Sequence, residues 1–249
     1  MEGADTLRKL DDMYMSFKGI VGDDIGARLT AMPIRQQTAI RGKKETLPGR
    51  DGFLLVPEGY QEITIKVDLA VDDNENMPDV RRWLSGSGEL IFGDYPDYAF
   101  DAMILTPIPR SSIAKRLEGA KFTVTFTAQP FMHLVQERPI VLTGGKIFRG
   151  QGDVNAMPLI AVEGSGEQTL TVNSRSMLLT LTAGVPLYID CDAGTAYTMD
   201  GETLEYAGDC VHVLDDWFEL YPEEGEKNIV SFTSGITRVT ITPRWRFFT

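Results

Sequence analysis

The stretch YQEITIKVDLAV, Tyr60 to Val71, places Ile63, Ile65, Val67, Leu69 and Val71 on alternate positions, with Glu62, Thr64, Lys66 and Asp68 between them. Successive side chains of a strand point to opposite faces, so this order makes one apolar and one polar face. It reads as a half-buried antiparallel strand. KFTVTFTAQPF, Lys121 to Phe131, repeats the pattern, with Phe122, Val124 and Phe126 facing in and Thr123, Thr125 and Thr127 facing out. Pro130 has no N–H to offer and is expected to end that ladder.

Between these strands lies one helical signal, NMPDVRRWLSGSG, residues 76–88. Pro78 suits a first turn, Asp79 favours the positive end of the helix dipole, and Val80, Trp83 and Leu84 form a buried stripe. Gly86 is expected to stop the helix. A second unit begins after Gln129-Pro130-Phe131. RPIVLTGGKIFRGQGDVNAMP reads as a connection, and from Pro158 onward short strands recur between turn signals. These are Pro158–Val162, Gln168–Val172, Ser176–Leu181, Val185–Cys191, Ala196–Met199, Ile229–Phe232 and Ile236–Thr242. That spacing suggests a β-sandwich.

ETLPGRDGFLL, Glu45 to Leu55, holds two glycines, a cation and a carboxylate between apolar flanks. A phosphate-cradling loop would need a Gly-Lys-Ser/Thr ending or a Gly-x-Gly-x-x-Gly run into a helix, and neither is present. Pro48-Gly49 and Asp51-Gly52 are turn chemistry, and Asp-Gly before a strand is a hairpin signal.

Composition narrows the function classes. The chain has 249 residues and a formal net charge of −12. Sixteen basic residues stand against twenty acidic ones before residue 135, and eight against sixteen after it, so neither half is a basic arm for nucleic acid. Cys191 and Cys210 are too few for a disulfide scaffold or a structural zinc site and read as buried or half-buried thiols. No uninterrupted apolar stretch reaches spanning length, and Asp11-Asp12 stand where a secretory signal would be apolar. The expectation is synthesis in the cytoplasm without a membrane anchor.

The chemistry-bearing candidates are few. His133 and His212 are the two histidines. His212 stands near Asp215-Asp216, where a hydrolytic pair is conceivable, but no nucleophile elbow accompanies it. Asp215-Asp216 and Glu223-Glu224 read as solvated loops rather than glycosidase carboxylates, which must face each other across a cleft. Gly150-Gln151-Gly152 lacks the third glycine of a dinucleotide loop. Arg244-Trp245-Arg246-Phe247-Phe248 reads as a sugar platform, an interface anchor, or a terminal strand with packed aromatics and solvated arginines. No catalytic, cofactor-binding or metal residue is assigned.

Several of these residues, taken in order, resemble a known family. Ser16-Phe17-Lys18-Gly19-Ile20 is followed by Leu47-Pro48-Gly49-Arg50-Asp51-Gly52, Trp83-Leu84-Ser85-Gly86, Leu90-Ile91-Phe92 and Asp94-Tyr95-Pro96-Asp97. A strand ending in Pro130-Phe131 closes the first half. Met157-Pro158-Leu159-Ile160, Gly164-Ser165-Gly166, Ile189-Asp190 and Val239-Thr240-Ile241-Thr242-Pro243-Arg244-Trp245 continue the order. This set resembles the distal tail proteins (Dit) of long non-contractile-tailed phages and prophages of Gram-positive bacteria.

The resemblance implies a mainly β chain: a polar extension over residues 1–15, a ring-forming β-sandwich with one helix and a projecting hairpin arm over 16–134, and a galectin-like β-sandwich over 135–249. It further implies a non-enzymatic virion protein whose six copies form a ring at the tail tip. That ring would join the tail tube protein to the tail-associated lysin or tip protein and the receptor-binding apparatus, with DNA only passing through its lumen. Arg50 and Asp51 are then candidate subunit-interface residues. The rival reading is a carbohydrate-binding module that holds a host glycan through the second sandwich. Tyr197 and Tyr206 are its aromatic candidates, without an evident polar partner set in the surrounding sequence.

Overall fold

The computed structural model describes residues 13–71, 73–106 and 120–249. Most of the polar extension expected at the N-terminus lies outside the described residues. The fold is mainly β, 53% strand against 7% helix, which fits the alternating patterns above. Contacts divide the chain into two compact units, one of the residues up to Val135 with Phe248–Thr249, the other Gln136–Phe247.

The first unit contains β1 (Met15–Phe17), β2 (Ile20–Val21), β3 (Ala27–Leu29), β4 (Ile40–Glu45), β5 (Leu54–Tyr60), β6 (Ile63–Val71), β7 (Ser87–Phe92), β8 (Tyr98–Met103) and β9 (Ala120–Leu134). Seven of them form one antiparallel sheet in the order β2-β1-β7-β8-β9-β6-β3. The chain passes from edge strand β2 to the opposite edge strand β3 through a single 3-10 turn, Gly22–Ile25. So short a link requires the sheet to roll until its edges approach. Gly22 marks the seam: a Cβ there would collide with the Ala27 carbonyl at 2.5 Å and crowd Trp83. The sandwich-like core of this unit is therefore one sheet folded over itself.

Register follows the alternation. β6 pairs with β9 from Ile63 opposite Ala128 to Val71 opposite Ala120, and the apolar set of each strand is buried. β9 does not end at Pro130 but runs to Leu134, opposite Tyr98. The reason is an irregularity: β8 advances from Phe100 to Ala102 while β9 advances from Met132 to Ala128. Pro130 sits in that bulge, where a ladder donor is not required.

The helix, α1 (Met77–Trp83), is shorter than its sequence signal and is preceded by a 3-10 turn at Asn74–Asn76. Its expected stripe, Val80, Trp83 and Leu84, is buried. Trp83 Nε1 donates to the Phe17 carbonyl at 2.8 Å and its ring meets Phe17 edge-on, so the helix is pinned to β1 by one polar and one aromatic contact.

The second unit holds β10 (Ile140–Leu142), β11 (Lys146–Phe148), β12 (Leu159–Gly164), β13 (Gly166–Val172), β14 (Arg175–Leu181), β15 (Leu187–Asp190), β16 (Thr195–Asp200), β17 (Thr203–Tyr206), β18 (Val211–Val213), β19 (Asn228–Phe232) and β20 (Ile236–Thr242). They form a six-stranded sheet, β10-β20-β12-β15-β16-β17, and a five-stranded sheet, β11-β19-β13-β14-β18. Ile160, Val162, Ile189, Val239 and Ile241 of the first and Leu170, Val172, Met177, Leu179 and Val230 of the second are buried. The segment expected to be a connection contains β10 and β11, strands too short to show a period.

Asn228 is fully buried among these apolar residues. Its Oδ1 accepts from Tyr221 N at 2.8 Å and from Asn173 Nδ2 at 3.1 Å, and its Nδ2 donates to the Tyr221 carbonyl. A buried amide is tolerated because its donors and acceptors are matched.

Candidate functional site

Among the described residues β4 and β5 pair only with each other. Their root is fixed. Gln61 N donates to the Ala39 carbonyl at 2.9 Å, and the Thr38 hydroxyl donates to the Pro130 carbonyl. The Tyr60 ring packs edge-on against Phe131 at 4.8 Å and against Phe248 at 6.2 Å. Just before the root, Arg35 holds Asp94 in a two-pronged ion pair and lies over the rings of Phe92 and Tyr95.

Beyond this root the hairpin leaves the core. Six residues of β4 reach about 20 Å at the usual rise per residue. Residues 46–55 are all exposed. The exposed set is apolar at the start of β5 and just before it: Phe53 at 56%, Leu54 at 47%, Leu55 and Val56. Strand alternation places Leu54 and Val56 on one face and Phe53 and Leu55 on the other, so neither face is covered. β4 places Lys43 opposite Val56, Lys44 opposite Leu55 and Glu45 opposite Leu54, and Lys44 Nζ lies 4.8 Å from the centre of the Phe53 ring. A two-stranded hairpin alone is marginal in water, and an apolar edge ribbon invites pairing.

LPGRDG forms the tip of this hairpin. Arg50 N donates to the Leu47 carbonyl at 3.2 Å, with Pro48 and Gly49 (φ 80°) at the central positions. That is a type II turn, which requires positive φ at its third residue and so favours glycine. The Arg50 and Asp51 side chains are exposed, and neither has a hydrogen-bond or ion-pair partner among the described residues. The stretch that looked like a possible phosphate loop is thus a turn that holds a cation and a carboxylate into solvent.

The remaining candidates separate. His212 lines an open cleft of about 450 Å³ on the five-stranded sheet, with Glu167, Gln168, Thr180, Asp209 and Cys210. Asp215 and Asp216 are spent elsewhere: Asp215 accepts from Ser176 N, and Asp216 caps Trp217 N and stands 3.7 Å from Arg175. His133 sits 3.3 Å from Glu89 and 3.7 Å from Asp101 on the sheet of the first unit. Glu223 and Glu224 are exposed. Gly150 and Gly152 are required by close approach to Tyr221 and Arg246 rather than by a ligand. Cys191 is buried, and burial pushes its thiol up to about 12, which makes it a poor nucleophile. Among the described residues no group of three His, Cys, Asp or Glu side chains converges on a metal position. No helix among them is long and apolar enough to cross a membrane.

The C-terminal Arg-Trp-Arg run corrects the sequence expectation in one respect. Trp245 is buried, as a packed terminal strand requires. The arginines, expected to be solvated, are paired: Arg244 holds Asp190 with two bonds at 2.7 and 2.9 Å, and Arg246 reaches Asp192 at 3.1 Å. The Arg244 guanidinium, with backbone N–H groups of Ala193 and Asp192, holds the Asp190 carboxyl below its ordinary value.

No family model matches the chain, and no curated protein does. Among solved structures it is similar to the Dit (gp 19.1) protein of SPP1, described as a paradigm of the hub adsorption apparatus in Gram-positive infecting phages. That likeness has a TM-score of 0.66 at 15% identity, covering 92% of this chain and 97% of the other. A chain of the phage P2 baseplate in its activated conformation with Ca matches at a TM-score of 0.43 and 7% identity, covering 89% of this chain and 97% of the other, too low to bear weight. The chain has a Dit-like fold over nearly its whole length.

Proposed function

We propose that the protein is a structural component of a phage tail tip, a hub whose copies close into a ring of about six. The observation that carries this reading is the β4–β5 arm, fixed at its root and unpacked along its length, on a Dit-like fold. A ribbon with exposed Phe53, Leu54, Leu55 and Val56 gains most by docking on another chain, where it exchanges water for an apolar surface. The arm carries four cations and three carboxylates in a chain of net charge −12, so it is attracted to the acidic body of a neighbour. If each chain gives its arm to one neighbour and receives the arm of another, the contact is heterologous, and heterologous contacts close into rings when the rotation permits. Arg50 and Asp51, at the tip, are proposed to bond the neighbouring subunit.

In this role the ring joins the tail tube to the tail-associated lysin or tip protein and to the receptor-binding apparatus, and DNA passes through it without being held. The protein is read as having no enzymatic activity, and its place is the virion tail tip. Negative-stain images of the purified chain at high concentration test the proposal. Rings with a central hole are expected; filaments or two-fold dimers would count against it.

A further inference from the structure

We propose that the outer face of the six-stranded sheet in the second unit binds a neutral pyranose oligosaccharide. The register carries the inference. Tyr188 of β15 stands opposite Tyr197 of β16, and Tyr197 stands opposite Tyr206 of β17. Three tyrosines from three neighbouring strands therefore form one row, about 10 Å long at ordinary strand spacing. The Tyr188 and Tyr197 rings are stacked, with centroids 5.2 Å apart and planes 6° from parallel. Tyr206 is 76% exposed and leans along its own strand until its hydroxyl meets Gly208, a position where any Cβ would displace it. Met199 and Leu204, opposite each other on the same face and both exposed, extend the apolar floor.

Polar groups flank the row. Asp190 lies two residues beyond Tyr188, on the same face and opposite Thr195. Its Oδ1 accepts from Arg244, Asp192 N and Ala193 N, whereas its Oδ2 accepts from Arg244 alone and keeps a lone pair to offer. The Tyr188 and Tyr197 hydroxyls have no hydrogen-bond partner among the described residues. Burial, with the nearby Asp190 charge, pushes the Tyr197 phenol up, so it stays protonated and can both donate and accept.

This combination selects its ligand. A pyranose presents a C–H face, which suits an aromatic ring, and a rim of hydroxyls, which suits free phenols and a spare carboxylate lone pair. An anionic ligand would have to compete with Asp190 for Arg244 and with Asp192 for Arg246, since both cations are already paired. A row three strands wide fits a short chain of sugars better than one. The sequence hid this arrangement because Asp190 and Arg244 are separated by 54 residues and meet only in the fold.

The test titrates the full chain with maltopentaose, cellopentaose and chitopentaose by calorimetry. Saturable binding of at least one below about 10 mM is expected. Tyr206→Ala, at an exposed position where folding is not at stake, is expected to weaken it about tenfold, and Tyr197→Phe to weaken it by less. His212→Ala, on the other sheet, is expected to leave it unchanged. No saturable binding of any of the three would overturn the proposal, as would binding that survives Tyr206→Ala or is lost in His212→Ala. A Tyr206→Ala variant that binds no sugar differently but changes native mass would identify the row as a protein contact and would also overturn it. The inference does not depend on ring formation, so native mass read on the same samples lets the two readings fail separately.

Discussion

β5 and β6 are consecutive strands of one unit, separated by Gln61 and Glu62, and they meet opposite surroundings. In β6 every second residue is apolar, and Ile63, Ile65, Val67, Leu69 and Val71 are buried. β5 opens with Leu54-Leu55-Val56 in direct succession, and all three are exposed. Alternation lets one face be buried while the other meets water; a contiguous run puts apolar side chains on both faces and so needs cover on both. β6 finds its cover in its own unit. β5 has none among the described residues, and this difference is the physical basis for reading the arm as a docking element.

The largest effect should come from comparing the two strands' surroundings directly. Phe126→Ala, opposite Ile65 in the fully packed sheet, is expected to cost about 3–5 kcal/mol of stability by lost transfer energy and a cavity. Leu54→Ala on the arm is expected to change it by less than about 0.5 kcal/mol in the unassembled chain. Denaturant midpoints of the two variants measure both. Equal losses would mean that the arm is packed in solution, and the contrast between the strands would disappear.

Trp83→Phe sharpens the same contrast on the packed side. It keeps an aromatic ring beside Phe17 but removes the donor to the buried Phe17 carbonyl, a loss of about 1–3 kcal/mol. A loss near zero would show that the carbonyl finds another partner.

The Asp190–Arg244 pair belongs to neither extreme, being partly exposed and charged. Asp190 is held below its ordinary 3.8 when folded, so it stabilises the native state above that value. The contribution is lost as pH falls through the lower folded pKa. Asp190→Asn should therefore be less stable than the parent at pH 7, and the gap should close on acidification. A gap independent of pH would assign the pair no electrostatic role.

Much of this was legible in residue order. Period two in Tyr60–Val71 and Lys121–Phe131 identified the paired strands β6 and β9 of the first sheet, although Tyr60 proved to close β5 rather than open β6. Val80, Trp83 and Leu84 marked the buried side of α1. The shortest strands were missed, β1, β2 and β3 in the first unit and β10, β11, β17 and β18 in the second, because two to four residues cannot display a period. Pro130 misled because a bulge removes the need for its missing donor. At the candidate site, Pro48-Gly49 announced a turn, but nothing local showed that Phe53 to Val56 would stay in water. The tyrosine row was half visible: Tyr197 and Tyr206 could be picked out, whereas Tyr188, Asp190 and Arg244 reach them only through sheet register.

The smallest effect on folding is expected at the tip. Arg50→Ala with Asp51→Ala should change stability by less than about 0.5 kcal/mol, since both side chains are exposed. Assembly measured against protein concentration should nevertheless weaken. Unchanged assembly would remove these two residues from the interface while leaving the apolar arm in it.

The most direct measurement is sedimentation of the parent chain and of a Leu54→Asp, Val56→Asp variant at matched high concentration, with denaturant midpoints of both. If the arm is the docking element, the parent sediments as a closed assembly of about six chains. The variant should then sediment as a folded monomer of unchanged midpoint. A variant that assembles like the parent, or a parent that remains monomeric at every concentration, would contradict it.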